Sequence, residues 1–295
     1  MSFSRPTAAF AAALGIGLSL LLAGCAPATD PEETRDSLKQ VTEDPAPPEA
    51  DDEFSAELHP EPIVEPIECT EFLVITARGT GEPSTNQLLS PVAKTIAKAR
   101  PKLVEQLDLD YPADTDVKEG GTEGARRLVD TLNVQAEACP DQRFVLLGYS
   151  QGAMLVGDAL SDPETRMVGE TVGEVTEDAA KRIRAIVLYG DPRFVGAAPY
   201  NAGSFDPAIN GVLPRPADAL DAYADRLRDY CVAQDFVCQG SFDLDEQGHI
   251  DYFDNGMQAD GAAFAITKLS KPDEWKDAKS GDVGAGDEQE RPRGE

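Results

Sequence analysis

Among the 295 residues, the stretch with the most chemical content is Gly148-Tyr149-Ser150-Gln151-Gly152. It fits the pattern G-x-S-x-G, in which a serine stands on a sharp turn between a strand and a helix. Residues beside such a serine must be small, because strand and helix approach closely there. The free N–H groups at the start of the helix can then stabilise an oxyanion. "RFVLLGY" before Ser150 reads as a strand and "QGAMLVGDAL" after it as a helix, so the local context suits a nucleophile. A nucleophilic serine needs a base. The chain has two histidines. In this architecture the chain order is serine, acid, histidine. His59 precedes the serine, within "AELHPEP", and is expected to be a solvated linker residue. His249, in "DEQGHIDYF", follows it and is the expected base.

The acid is less determined. Asp191, in "YGDPRF", ends a strand, and Asp235 lies between Cys231 and Cys238 in "CVAQDFVC". A bridge across that step would stiffen the loop, as an orienting carboxylate requires. Asp243, Asp245 and Asp251 are uncomfortably close to His249 in sequence, though not excluded. No histidine pair or spare thiol cluster points to a metal, and no cofactor is expected.

The elements that must position these groups alternate. Residues 71–77 form a short, nearly all-apolar run, as expected for a strand covered on both faces. A helix is expected over 88–100, a strand over 105–112 and a helix over 120–140. Further strands are expected over 143–149, 182–192 and 225–231, and helices over 151–160 and 256–270. Strands separated by helices predict a three-layer α/β sandwich with a mainly parallel central sheet. The chemistry of such sheets gathers at the carboxyl ends of the strands. The stretches 161–181 and 191–220 carry no clear pattern.

The flanks differ in composition. Residues 8–24 are uniformly apolar behind Arg5 and read as an export signal. They end in Leu22-Ala23-Gly24-Cys25, which resembles a lipobox, so residues 1–24 are expected to be removed and Cys25 acylated. Setting Cys25 aside leaves four of the five cysteines, an even number available for pairing. Residues 25–66 are rich in Pro, Ala and acids. Between 26 and 66, thirteen acids face only Arg35 and Lys39. Such a composition is expected to form a flexible tether with a mean span of roughly 35 Å. Residues 271–295 are expected to be a disordered charged tail. The domain proper is therefore 67–270. The formal net charge is −28, which disfavours nucleic acid and bare anionic membrane as partners. A monomer is expected, facing the outside of the cytoplasmic membrane or secreted.

Over roughly 67–270 the chain resembles the cutinases, and most closely the cutinase-like esterases of actinobacteria. The resemblance is carried by "ARGTGEP" (77–83), "GYSQGA" (148–153), "YGDPRF" (189–194), the Cys231/Cys238 pair around Asp235, and the His249 segment. It implies a minimal, lidless α/β-hydrolase fold. It also implies Ser150 as nucleophile, His249 as base and Asp235 as its orienter. The implied oxyanion hole is the N–H of Gln151 together with Thr80. The implied disulfides pair Cys69 with Cys139 and Cys231 with Cys238. On the chain-entropy account, closing the longer loop stabilises by roughly 4 kcal/mol. The expected substrates are esters of short to medium acyl chains, or envelope lipids, with "FVGAAPY" (194–200), Phe236 and Ile250 as a candidate apolar rim. An acyltransferase would use the same triad. A non-catalytic, lipid-binding envelope lipoprotein would dispense with one of its members.

Overall fold

The computed structural model describes residues 31–43, 48–240 and 246–269. The expected leader (1–24), Cys25, the tail (271–295), Asp243 and Asp245 lie outside the described residues. In chain order the elements are α1 (Pro31–Glu43), α2 (Pro48–Glu53), β1 (Phe72–Ala77), α3 (Ser90–Ala99), β2 (Val104–Asp108) and α4 (Val117–Ala138). There follow β3 (Arg143–Tyr149), α5 (Gln151–Ala159), α6 (Glu177–Arg182), β4 (Ile183–Tyr189) and β5 (Asn201–Gly203). The described chain closes with β6 (Leu227–Cys231), α7 (Glu246–Ile250) and α8 (Met257–Lys268). No described helix is long and apolar enough to cross a membrane.

The strands form one six-stranded sheet, ordered β2-β1-β3-β4-β6-β5. Every neighbouring pair is parallel. All six residues of β1 are buried, which explains why its sequence lacks a polar face. Its side chains nevertheless alternate. Phe72 and Val74 join one apolar cluster with Val92, Ile96, Ala262 and Ala265. Leu73, Ile75 and Ala77 join the other, with Leu128, Leu132, Met154 and Leu155. Helices α3 and α8 therefore cover one face, and α4 and α5 cover the other. This is the three-layer sandwich that the alternating pattern predicts. The 191–220 connection, featureless in sequence, contributes the short edge strand β5.

The segment 161–181 ends in the short helix α6, and the stretch before it is held by two buried side chains. Arg166 donates to the carbonyls of Ser161, Gly169 and Gly173. Asp158 accepts from the N–H groups of Met167 and Val168.

The expected flexible tether does not hold for the described residues between 31 and 66. In α1 the buried positions are Thr34, Ser37, Leu38 and Val41, spaced i, i+3, i+4, i+7, and this stripe faces the domain. After α2 the chain runs along α4, fastened by side chains of that helix. The Arg126 guanidinium donates to the carbonyls of Phe54, His59 and Glu61. Asp130, paired with Arg126 at 2.7 Å, accepts from the N–H of Ile63. Gln135 accepts from the N–H of Ile67. The groups that order the segment are its own main-chain atoms and partners some seventy residues away, so its side-chain composition misreports it.

Candidate active site

Ser150 joins β3 to α5 with φ 52° and ψ −120°, a left-handed conformation that ordinary residues avoid. Holding it there costs about 1–3 kcal/mol, and its surroundings fix it. Its N–H donates to the carbonyl of Tyr189 on the adjacent strand (2.9 Å). The glycines of the motif have a steric reason. A Cβ on Gly152 would stand 1.9 Å from the carbonyl oxygen of Ala77, and one on Gly148 would stand 2.7 Å from the Cα of Ala153. Strand β1, the elbow and α5 close on each other only because both side chains are missing.

His249, in α7, is carried across the end of the sheet to this turn. Its Nε2 lies 2.9 Å from Ser150 Oγ. Its Nδ1 lies 2.9 Å from Asp235 Oδ1 and 3.0 Å from Oδ2. All three side chains are sheltered: Ser150 is 5%, His249 3% and Asp235 0% exposed. Glycine is again required at Gly190 (φ +58°), where a Cβ would press on the imidazole at 2.8 Å and on the Asp235 carboxylate at 3.0 Å. Aromatic rings flank the imidazole. Tyr149 stacks on it at 5.2 Å and Phe236 tilts against it at 5.7 Å. The Tyr149 hydroxyl also donates to the carbonyl of His249 (2.9 Å).

Asp235 follows β6 and sits inside the loop closed by the Cys231–Cys238 disulfide. Burial pushes its carboxyl upward, but His249, the Tyr252 hydroxyl and the Val237 N–H together hold it below the usual carboxylate range. Tyr252 donates at 2.7 Å and the Val237 N–H at 2.8 Å. A buried carboxylate with donors on both oxygens stays ionised and faces the imidazole with fixed orientation.

The loop after β1 supplies the opposite wall. Thr80 Oγ1 donates to Gln151 Oε1 at 3.1 Å, linking this loop to the elbow. Gln151 is the first residue of α5, so its N–H has no carbonyl four residues back within the helix. The loop is held from behind by Glu82, whose carboxylate accepts from the N–H groups of Gly79 and Leu88 at 2.7 Å each. Burial raises the Glu82 carboxyl above its ordinary value, and those two donors and Arg78 only partly offset it.

The remaining candidates lie elsewhere. Asp191 accepts from Arg215 Nη1 (2.5 Å) and the Arg193 N–H (2.8 Å), within a buried ionic network that includes the Asp158–Arg193 pair. Asp251 accepts from Gln247 on the surface (2.7 Å). The His59 side chain is exposed. Cys69 is bonded to Cys139, and Cys231 to Cys238. Of the expected apolar rim, Phe194 packs on the Cys231–Cys238 bridge and Tyr200 is buried in the core, so neither faces solvent. Phe236 flanks the imidazole, and Ile250 is half-buried. Among the described residues no group of three His, Cys, Asp or Glu could hold a metal.

Sequence reasoning did not find Tyr252, Tyr149 or Glu82. Nothing in the sequence marks the Tyr252 hydroxyl as a carboxylate donor, since it reads as an aromatic in a helix. Glu82 lies within the quoted "ARGTGEP", but its role depends on where Leu88 returns.

A serine, a histidine and an aspartate in line, at the carboxyl ends of β3 and β6, form the constellation of an acyl-transfer site. Comparison with known proteins agrees. The cutinase family model matches residues 68–269. The chain is 32% identical over 201 residues to a cutinase of Kineococcus radiotolerans, an alignment covering 67% of this chain and 61% of that protein. It is 30% identical over 215 residues to an acetylxylan esterase of Hypocrea jecorina, covering 69% of this chain and 68% of the relative. It is 24% identical over 210 residues to carboxylesterase Culp1 of Mycobacterium tuberculosis, covering 68% and 82%. The catalytic core of the Trichoderma reesei acetyl xylan esterase superposes with a TM-score of 0.57 at 28% identity, over 68% of this chain and all of that one. The chain belongs to the cutinase family of carboxylic ester hydrolases.

Proposed function

We propose that this protein is an exported serine esterase that hydrolyses carboxylic esters of short to medium acyl chains, or envelope lipids, through Ser150, His249 and Asp235. The observation that carries the reading is the unbroken run of contacts from Ser150 Oγ to His249 Nε2 (2.9 Å) and from His249 Nδ1 to Asp235 (2.9 Å). His249 accepts the Ser150 proton as Oγ attacks the ester carbonyl. The charge that develops on the carbonyl oxygen is met by the N–H of Gln151 and by Thr80. His249 then returns the proton to the departing alcohol, leaving an acyl-serine. Water attacks that ester with His249 again as base, the carboxylic acid departs and Ser150 is restored. Asp235 stays ionised throughout and stabilises the imidazolium.

Two disulfides fit an oxidising compartment outside the cytoplasm. The apolar leader and the Leu22-Ala23-Gly24-Cys25 sequence support export with an acyl anchor on Cys25. Mass spectrometry of the mature N-terminus tests the anchor: diacylglycerol on Cys25 is expected, and an unmodified peptide across that position overturns it.

The activity is tested with a chromogenic butyrate ester. The wild-type protein is expected to turn it over, and Ser150→Ala is expected to lose at least about 10³-fold in kcat/KM. Undiminished turnover by Ser150→Ala overturns the mechanism.

A further inference from the structure

The loop after β1 and the elbow meet at close range. A Cβ on Gly79 would stand 3.3 Å from the Cβ of Ser150, and one on Gly152 would stand 2.6 Å from the carbonyl oxygen of Arg78. Thr80 comes next in that loop. Its hydroxyl meets the side chain of Gln151, the residue after the nucleophile. The reaction above uses only the main-chain N–H of Gln151. Its side-chain amide is given no part there, yet the residue is 1% exposed and its amide is held inside the site.

The two ends of that amide are unequally used. Oε1 accepts from the Thr80 hydroxyl at 3.1 Å. Nε2 is buried and has no hydrogen-bond partner among the described residues. A threonine hydroxyl has a single proton, so while it serves Oε1 it cannot serve a substrate oxygen. The last side-chain torsion of glutamine is roughly two-fold, so half a turn of the amide exchanges its oxygen and nitrogen in place. Nε2 then donates to Thr80 Oγ1, and the hydroxyl proton is released. The two side chains remain joined by one hydrogen bond. The atom left unpaired becomes a buried carbonyl oxygen, which folded proteins tolerate more often than an unpaired buried N–H.

We propose that Gln151 is a positioning residue through its side chain: the amide holds the Thr80 hydroxyl proton before reaction and, by turning over, releases it to the oxyanion. The proposal rests on the esterase reading above and on Thr80 as part of its oxyanion hole. The developing negative charge favours the turned state, because the hydroxyl then gains a charge-assisted hydrogen bond. A neutral ester carbonyl is a weaker acceptor, so the resting pair persists while substrate binds. The stabilisation therefore belongs to the transition state and appears in kcat, not in KM.

The test uses the full chain, 4-nitrophenyl butyrate and a slightly alkaline buffer. Thr80→Val removes the hydroxyl and is expected to lower kcat by about 10²-fold, the effect of one oxyanion donor, with KM within about threefold. Thr80→Ser restores a hydroxyl and is expected to lose no more than about tenfold. Gln151→Glu decides the role of the amide. Its carboxylate, kept ionised by the start of helix α5, can only accept, so it holds the hydroxyl proton permanently. The added charge lowers activity by itself, and the informative quantity is the further effect of Thr80→Val. That effect is expected to shrink to less than about twofold in the Gln151→Glu background. A Thr80→Val effect of the same size in both backgrounds overturns the proposal, as does a kcat that Thr80→Val leaves unmoved in the wild type. If Gln151→Glu does not fold, Gln151→Met takes its place. It leaves nothing to aim the hydroxyl, and is expected to lower kcat at least about threefold in the wild type but not in the Thr80→Val background. Equal effects in the two backgrounds overturn the proposal. A wild type that hydrolyses no ester overturns the esterase reading and this proposal with it. Turnover that Ser150→Ala abolishes, combined with equal effects in both backgrounds, overturns this proposal alone.

Discussion

The serine elbow and the 54–67 segment are both pinned in conformations that the chain would not hold alone, by opposite means. At the elbow the fixing is local and steric. Gly148 and Gly152 lack side chains, β1 and α5 close in, and Ser150 is left at φ 52°. Along α4 the fixing is remote and polar. Arg126, Asp130 and Gln135 reach out to carbonyls and N–H groups of a stretch whose own side chains are largely exposed. The first arrangement is written where it occurs. The second is written in another element, and the segment's own letters read as linker.

Four substitutions probe this contrast, in decreasing order of expected effect. Gly152→Ala puts a methyl group 1.9 Å from the Ala77 carbonyl. Backbone must shift to admit it, so turnover of a butyrate ester is expected to fall by about two orders of magnitude or more, as for an Å-scale misplacement of reacting groups. Activity close to wild type would show that the elbow is not sterically set.

Arg126→Met is expected to release the segment from afar. It strips three carbonyls of their donor and leaves Asp130 without its ion-pair partner, a loss of about 3–5 kcal/mol for breaking a buried pair. Limited proteolysis should show new cleavage between residues 54 and 63. Stability lost without new cleavage there would mean that Arg126 serves only the helix.

Tyr252→Phe lies between the two cases, because it supports the site from three residues beyond His249. Losing the hydroxyl removes one donor from Asp235 and is expected to cost about 1–3 kcal/mol. It also shifts the acid limb of stability. Asp235 is held below its ordinary value near 3.8, so its contribution is present at neutral pH and is lost as pH falls through the depressed value. Without Tyr252 the carboxyl rises toward the ordinary value, so melting curves between pH 2 and 7 should show a smaller acid loss that is complete at higher pH. An unmoved acid limb would remove Tyr252 from the account.

Glu61→Ala sharpens the contrast by doing nothing. The Glu61 side chain is exposed and only its carbonyl is used, so a change within about 0.5 kcal/mol by thermal melting is expected. A larger loss would mean that the segment's own side chains help to hold it.

The same contrast separates what was legible in the sequence from what was not. The strands β1, β3 and β4 announce themselves as apolar runs because both faces are buried, and the elbow as a glycine pattern because sterics allow little else. His249 was reachable by elimination and chain order. For Asp235 the sequence offered the stiff loop between Cys231 and Cys238, and the resemblance chose it over Asp191, a fair candidate that Arg215 and Arg193 engage in the folded chain. Tyr252 and Glu82 were missed because each acts through a partner that only the folded chain brings near. Helix α1 was missed for a related reason. Two large apolar residues in thirteen, Leu38 and Val41, give too faint a stripe among its charges to outweigh the composition around it.

The Cys69–Cys139 disulfide carries a mechanical consequence. It joins the residue three places before β1 to the C-cap of the 22-residue helix α4. Tension applied to the chain upstream of Cys69 passes through this covalent link to Cys139 and on toward β3, bypassing the closed loop that holds β1, β2 and α4. It does not load the hydrogen bonds between β1 and β2 one after another. Whatever the N-terminal side is made to pull against, the strand at the heart of the sheet cannot be unzipped from that end.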